Sequence, residues 1–98
     1  MNTTDLAVID IPRYKNDQIN QKRRERQKRI IAQNLLNLRL RNALTQEGLA
    51  HKTRLSKNTI YKLEAAKIYP HASTIYQLSK FFRVDSQQLL GNVEVDCE

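Results

Sequence analysis

The sequence predicts an all-α fold, a compact domain of five helices, and three observations carry that expectation. Gly and Pro number two each among 98 residues, too few for the many turns of a β-sandwich. Ile31, Leu35 and Leu38 stand at i, i+4 and i+7, the spacing of a buried helix face. Thr45, Ser56 and Asp85 are cap-forming residues that each precede a short stretch with apolar residues at helical spacing. With 40% hydrophobic and 28% charged residues the chain can bury one modest core. No apolar run approaches the roughly 18 residues that a membrane span needs.

Taken in order, residues 1–15 read as an N-terminal extension, flexible or strand-like. Leu6, Val8, Ile9 and Ile11 suit a strand, Pro12 ends the run, and a lone strand must either pair with another or stay disordered. Asn16 or Asp17 can cap a first helix that runs to about Asn42. Residues 16–29 form its basic extension, and its second half carries the core face. Leu36 and Leu40 add an apolar edge that the same core leaves uncovered, suited to a partner helix or to the N-terminal segment.

The helical domain spans residues 30–91. Its second helix is Gln46–Lys52, burying Leu49 and Ala50, and its third is Lys57–Ala65, burying Ile60 and Leu63. Pro70 separates these from a fourth helix over about Ser73–Phe82, with Ile75, Leu78 and Phe82 on one face. Asp85-Ser86-Gln87-Gln88 reads as a capping box that opens a last short helix through Leu90, closed by Gly91. Residues 92–98 are an acidic tail with Glu94, Asp96 and Glu98.

The charge is uneven. The net charge is +7, residues 22–42 alone hold eight bases against Glu25, and the segments before and after are close to neutral. Such a block suits nucleic acid or an acidic surface. The N-terminal ten residues carry two acids and no base, unlike a secretory signal. The single cysteine, Cys97, excludes a disulfide framework and a cysteine-rich zinc site and fits a reducing cytoplasm. His51 and His71 have no partner ligands at useful spacing, so neither a metal nor another cofactor is expected. Ser56 has no His and acid arranged around it as a nucleophile needs, so an enzyme is not expected.

The informative stretch is Thr45–Glu64. Two short helices flank a tight turn, with the small Ala50 where they must cross closely. Leu55 drops from the turn into the core, and Ile60 and Leu63 hold the second helix down. That is the physical recipe of a helix-turn-helix, and it leaves Lys57, Asn58, Tyr61 and Lys62 free to meet base edges in a major groove.

Over residues 31–91 the chain resembles the Xre-type, lambda-repressor-like helix-turn-helix regulators. The resemblance rests on Leu38-Arg39, Leu44-Thr45-Gln46-Glu47, Leu49-Ala50, Leu55-Ser56, Ile60 with Leu63-Glu64, Pro70, Thr74-Ile75, Val84 and Leu89-Leu90 in that order and spacing. It implies base reading by Lys57, Asn58, Thr59 and Lys62, and backbone contacts by Thr45, Gln46, Ser56 and Tyr61. It also implies a structural salt bridge between Arg39 and Glu64, and a loop carrying Lys67 and Tyr69 that skirts the DNA backbone. Where the family often has Gly in the turn this chain has Arg54, and where Gly commonly follows the family Glu by two it has Ala66. A different turn shape, with Arg54 kept for a phosphate, is the expectation that follows. Gly48 inside the second helix costs roughly 1 kcal/mol against Ala.

The basic run Gln21–Arg29, with Arg23, Arg24 and Arg26, lies outside the resemblance and is expected on phosphates or in a minor groove, as a helix or as a flexible arm. The function implied is a sequence-specific regulator of transcription that binds double-stranded DNA, a cytoplasmic, nucleoid-associated repressor of a bacterium, phage or mobile element. A homodimer on a near-palindromic operator is expected, because one short helix in one groove reads few bases. Two rivals stand beside it: an antitoxin that binds DNA and holds a partner toxin through residues 1–29, and a basic RNA-binding factor.

Overall fold

In the computed structural model the backbone of residues 2–91 and the side chains of residues 20–91 are described. Five helices follow one another: α1 (Asn2–Arg41), α2 (Gln46–Thr53), α3 (Lys57–Glu64), α4 (Ala72–Phe82) and α5 (Ser86–Leu90), with no strand among the described residues. The ends of α2 to α5 fall within a residue or so of the sequence expectation. The acidic tail, residues 92–98, lies outside the described residues.

The N-terminal expectation is corrected. Residues 2–15 are helical rather than strand-like and form the first part of α1, a single helix of 40 residues and about 60 Å. A solitary segment with no sheet edge to pair with can satisfy its backbone N–H and C=O groups within the chain only by coiling on itself; the alternative partner is water. Extending an existing helix adds one hydrogen bond per residue with no new nucleus. Pro12 has no N–H to give the Val8 carbonyl, a defect that α1 accommodates without ending.

The core is built from one stripe of each helix. Ile31, Ala32 and Leu35 of α1 are buried together with Leu49 and Ala50 of α2, Ile60 and Leu63 of α3, Leu78 of α4 and Leu89 of α5. Leu38, Leu44, Leu55, Ile68, Ile75, Phe81 and Phe82 pack around that centre half-buried. Helix α1 lies against both α3 and α5, and the Asn34 amide fixes the second contact by donating to the Leu89 carbonyl oxygen at 2.9 Å. The apolar edge at Leu40 stays 59% exposed.

Helix starts follow local chemistry. Thr45 Oγ1 accepts from Gly48 N at 2.9 Å and Ser56 Oγ from Thr59 N at 3.0 Å, each closing an N-terminus. Gly48 is therefore more than a weak helix residue: a Cβ there would stand 3.2 Å from the Thr45 hydroxyl that caps the helix. In α5, Asp85 N donates to Gln88 Oε1 at 3.1 Å, the glutamine half of the capping box.

Helix ends share one device. The N–H groups of Leu44, Leu55, Lys67 and Val84 donate to carbonyls five residues back, those of Arg39, Ala50, Lys62 and Ser79. The residues before them, Ala43, Arg54, Ala66 and Arg83, all have φ between 56° and 62°. These are four left-handed exits of the Schellman type, none on glycine. The turn at Arg54 keeps the left-handed shape rather than adopting another one. Leu44, Leu55 and Val84 each sit one residue past the left-handed position and are half-buried, the apolar contact that accompanies this motif.

At such positions an L-residue costs about 1–2 kcal/mol, part of which glycine returns as lost chain entropy. Ala66→Gly and Arg83→Gly are each expected to stabilise the fold by up to about 1 kcal/mol, read as a rise of several degrees in the midpoint of thermal unfolding. Gly91 has φ 89° and a Cβ there would overlap Ile30 Cγ2. Gly91→Ala is expected to lower the same midpoint.

Candidate nucleic-acid interface

The third helix is eight residues long, too short to hold its own direction in water. Its last residue is tied down by a largely buried ion pair. Arg39 Nε donates to Glu64 Oε2 at 2.6 Å and Nη2 to Glu64 Oε1 at 3.0 Å, a two-toothed contact between α1 and α3. The side chains are 12% and 7% exposed. Arg39 Nη1 also donates to the Leu44 carbonyl oxygen at 2.8 Å, and Gln46 Nε2 donates to Glu64 Oε1 at 3.0 Å. The hydrogen bond to Glu64 raises the pKa of Arg39, burial opposes it, and the charge of Glu64 adds to the rise. A base whose pKa is raised by folding contributes stability that is complete below its unfolded value and lost only as pH climbs through the folded one. Arg39 therefore keeps its side of the bridge through the whole neutral range.

With Ile60 and Leu63 turned inward, α3 presents Lys57, Asn58 and Tyr61 as exposed residues and Lys62 as a half-buried one. Asn58 and Lys62 are four apart, one above the other on the outer face. Thr59 is half-buried and bound to the cap: Ser56 Oγ donates to Thr59 Oγ1 at 2.8 Å. The one proton of the Ser56 hydroxyl is thereby committed, and the proton free to meet an acceptor is that of Thr59. On the neighbouring edge Thr45 Oγ1 is used as an acceptor, which leaves its proton to donate. Gln46 has given one amide N–H to Glu64 and keeps the other. Arg54 is exposed in the turn between α2 and α3.

Beyond α3 the chain folds its cations onto aromatic rings. Lys67 Nζ stands 5.3 Å from the centroid of the Tyr61 ring, and the Arg24 guanidinium carbon stands 5.4 Å from that of Tyr69. Such contacts are worth about 0.5–1 kcal/mol when exposed. The second one joins the basic part of α1 to the loop between α3 and α4. Arg23 and Arg26 are exposed on the same part of α1. The residues expected to meet DNA thus fall into two sets, one on α2, the turn and α3, the other on the loop and α1, touching through Tyr61, Lys67, Tyr69 and Arg24.

The Gln46–Glu64 bond, the tie from Arg39 to the Leu44 carbonyl and the Arg24–Tyr69 contact were not anticipated from the sequence. Arg24 and Tyr69 are remote along the chain, and no spacing rule connects them. Among the described residues no group of three or more His, Cys, Asp or Glu is placed to hold a metal ion, and no helix is long and apolar enough to cross a membrane.

Residues 35–89, from the core face of α1 to the last buried leucine of α5, match the helix-turn-helix family model HTH_3. The chain belongs to the Xre-type, lambda-repressor-like helix-turn-helix family. A curated relative is the HTH-type transcriptional activator BcrR of Enterococcus faecalis, 39% identical over 61 residues. The matched part is 62% of this chain and 30% of that relative, so the chain spans well under two thirds of it. No solved structure matches. The basic stretch of α1 before residue 35 falls outside the helix-turn-helix match.

In this helix-turn-helix domain the Arg39–Glu64 pair is buried enough that halving it leaves a charge without a partner. Arg39→Met and Glu64→Leu are each expected to cost about 3–5 kcal/mol, and the double variant clearly less than their sum. Urea unfolding of the four chains measures the coupling.

Proposed function

We propose that this chain is a transcription regulator that binds double-stranded DNA sequence-specifically, with α3 as the helix that reads bases. The observation that supports this reading best is the outer face of α3. It carries Lys57, Asn58 and Lys62 on a helix whose angle is set by a buried two-toothed ion pair. Asn can bond an adenine edge through two atoms, and Lys can donate to the acceptors of guanine. Thr45, the free N–H of Gln46, Thr59, Arg54, Tyr61, Lys67 and Tyr69 surround that face with donors suited to phosphates. Ser56 serves through the cap that orients the helix start.

An eight-residue helix is about 12 Å long and covers only three or four base pairs, so one subunit discriminates poorly. The reading therefore includes a homodimer that sets two copies of α3 into successive major grooves of a near-palindrome, half-sites about one turn apart. Repression is the simplest outcome, since occupancy of a promoter excludes polymerase without any further contact. Activation is the competing mode, favoured by the name of the relative in Enterococcus faecalis.

The test is selection from a pool of random duplexes by the full chain, followed by anisotropy titration of the enriched duplex and a scrambled control at about 150 mM salt. A motif of two inverted half-sites, bound at least roughly 10³-fold more tightly than the control, is expected. Equal binding of both would refute sequence reading. Run-off transcription from a promoter carrying the motif separates the modes: transcript falls for a repressor and rises for an activator. Asn58→Ala and Lys62→Ala are each expected to weaken the enriched duplex about 10- to 100-fold and to relax one base position. Lys67→Gln should weaken all duplexes alike and lower the log–log salt slope by about 1.

A further inference from the structure

The basic part of α1 has no place in the helix-turn-helix match, which begins at residue 35. We infer that residues 20–29 form a second, rigid DNA-contacting surface that takes the phosphate backbone of the duplex flanking the bases under α3. This rests on the DNA-binding reading above and extends it to a part of the chain that the family does not cover.

The charge is concentrated and its one opponent is already engaged. Between Lys22 and Arg29 six bases face Glu25, and Glu25 pairs with Lys28 at 3.2 Å. Lys28 is itself the covered partner, 18% exposed against 52% for Glu25, so the pair lies toward the domain. Lys22, Arg23 and Arg29 are exposed. Nothing in this stretch offers an apolar face for a protein partner: the first buried hydrophobic residue of α1 among those described is Ile31. A phosphate backbone, with one negative charge per about 1.7 Å of duplex axis, is the ligand that such a surface fits.

Its direction is set at both ends. Helix α1 is unbroken from before this stretch to Arg41, and Ile31 and Leu35 anchor it in the core. At the other end Arg24 lies over Tyr69 at 5.4 Å. Tyr69 follows Lys67, which lies over Tyr61 of the reading helix at 5.3 Å. A continuous strip thus runs from the outer face of α3 along the loop onto α1. Ten residues of helix cover about 15 Å, or about four base pairs beyond the half-site. Tyr69 and Arg24 are positioning residues here: they hold the extension on the side of the molecule that α3 presents.

The test uses the full chain and the enriched duplex in two lengths, one trimmed to the motif and one extended by ten base pairs on each side. The native chain is expected to bind the longer duplex at least several-fold more tightly. In K22Q/R23Q/R29Q that advantage should disappear and the salt slope should fall by about 2–3, at about 0.9 per phosphate contact, with the motif preference kept. Tyr69→Leu keeps every charge but removes the ring and should shrink the flank advantage, whereas Tyr69→Phe, which removes only the hydroxyl, should keep it; both should leave the helical circular-dichroism signal unchanged. The inference is overturned if both duplex lengths bind alike to the native chain, or if the triple variant matches it in slope and flank dependence. The basic stretch would then serve an acidic protein surface instead. If no motif is enriched but the triple variant still lowers the slope, the extension is a DNA surface and the base-reading role of α3 fails alone.

Discussion

The Arg39–Glu64 bridge is the constraint on which the rest of the interface depends. One guanidinium and one carboxylate join the last turn of α1, the connection at Leu44, the first residue of α2 and the last residue of α3. Neither α2 nor α3 exceeds eight residues, so neither has the length to be stable or oriented by itself. Buried Ile60 and Leu63 decide which face of α3 turns inward, but apolar contact alone sets its tilt on the core less sharply. The two-toothed ion pair supplies direction, since its planar geometry is met at one orientation of α3 only. Removal from water makes the pair costly to form and costlier to halve.

The helix exits serve the same end from the other side. Four successive helices end in a left-handed residue that is not glycine, and each exit returns an N–H to a carbonyl five residues back. At three of the four, the strain this stores is offset by half-burying Leu44, Leu55 or Val84 immediately afterwards. At Arg54 the choice has a second consequence. Glycine would relax the turn, but it would remove an exposed cation from the one loop that lies between α2 and α3. Stability and charge compete at that position, and the chain carries the charge.

What the sequence made legible follows from how local each signal is. Thr45 and Ser56 were readable as caps because their bonds close within three residues, and the core face of α1 because its period is that of the helix itself. The start of α1 was not readable. Leu6–Ile11 has strand-forming side chains, a weak preference beside the continuation of a formed helix, and Pro12, which costs about 3 kcal/mol inside a helix, resembles a stop that α1 nonetheless passes. The exits were half readable: Gly91 announced itself, whereas Ala43, Arg54, Ala66 and Arg83 take a positive φ with no glycine to signal it. Within the candidate site the residue types on the outer face of α3 could be read from its buried neighbours. The commitment of the Ser56 proton to Thr59, and of Gln46 to Glu64, depends on rotamers that sequence does not encode locally.

A helical extension and a flexible arm carrying the same bases are different ligands for DNA. An arm must give up about 1–2 kcal/mol of backbone entropy for each residue it orders, which consumes much of what its phosphate contacts return. The helix of residues 20–29 has met that cost in folding, so the contacts proposed for it would register more fully as affinity. The same rigidity makes it selective in a way that an arm is not. Its cations keep fixed separations along the axis, and they meet the phosphates only where the flanking duplex has the matching course. On the proposed reading, a rigid row of cations would favour flanks whose phosphates follow the matching course, without any base being touched. The Arg24–Tyr69 contact ties the extension to the loop that follows α3, and so couples the two surfaces that the proposal assigns to DNA.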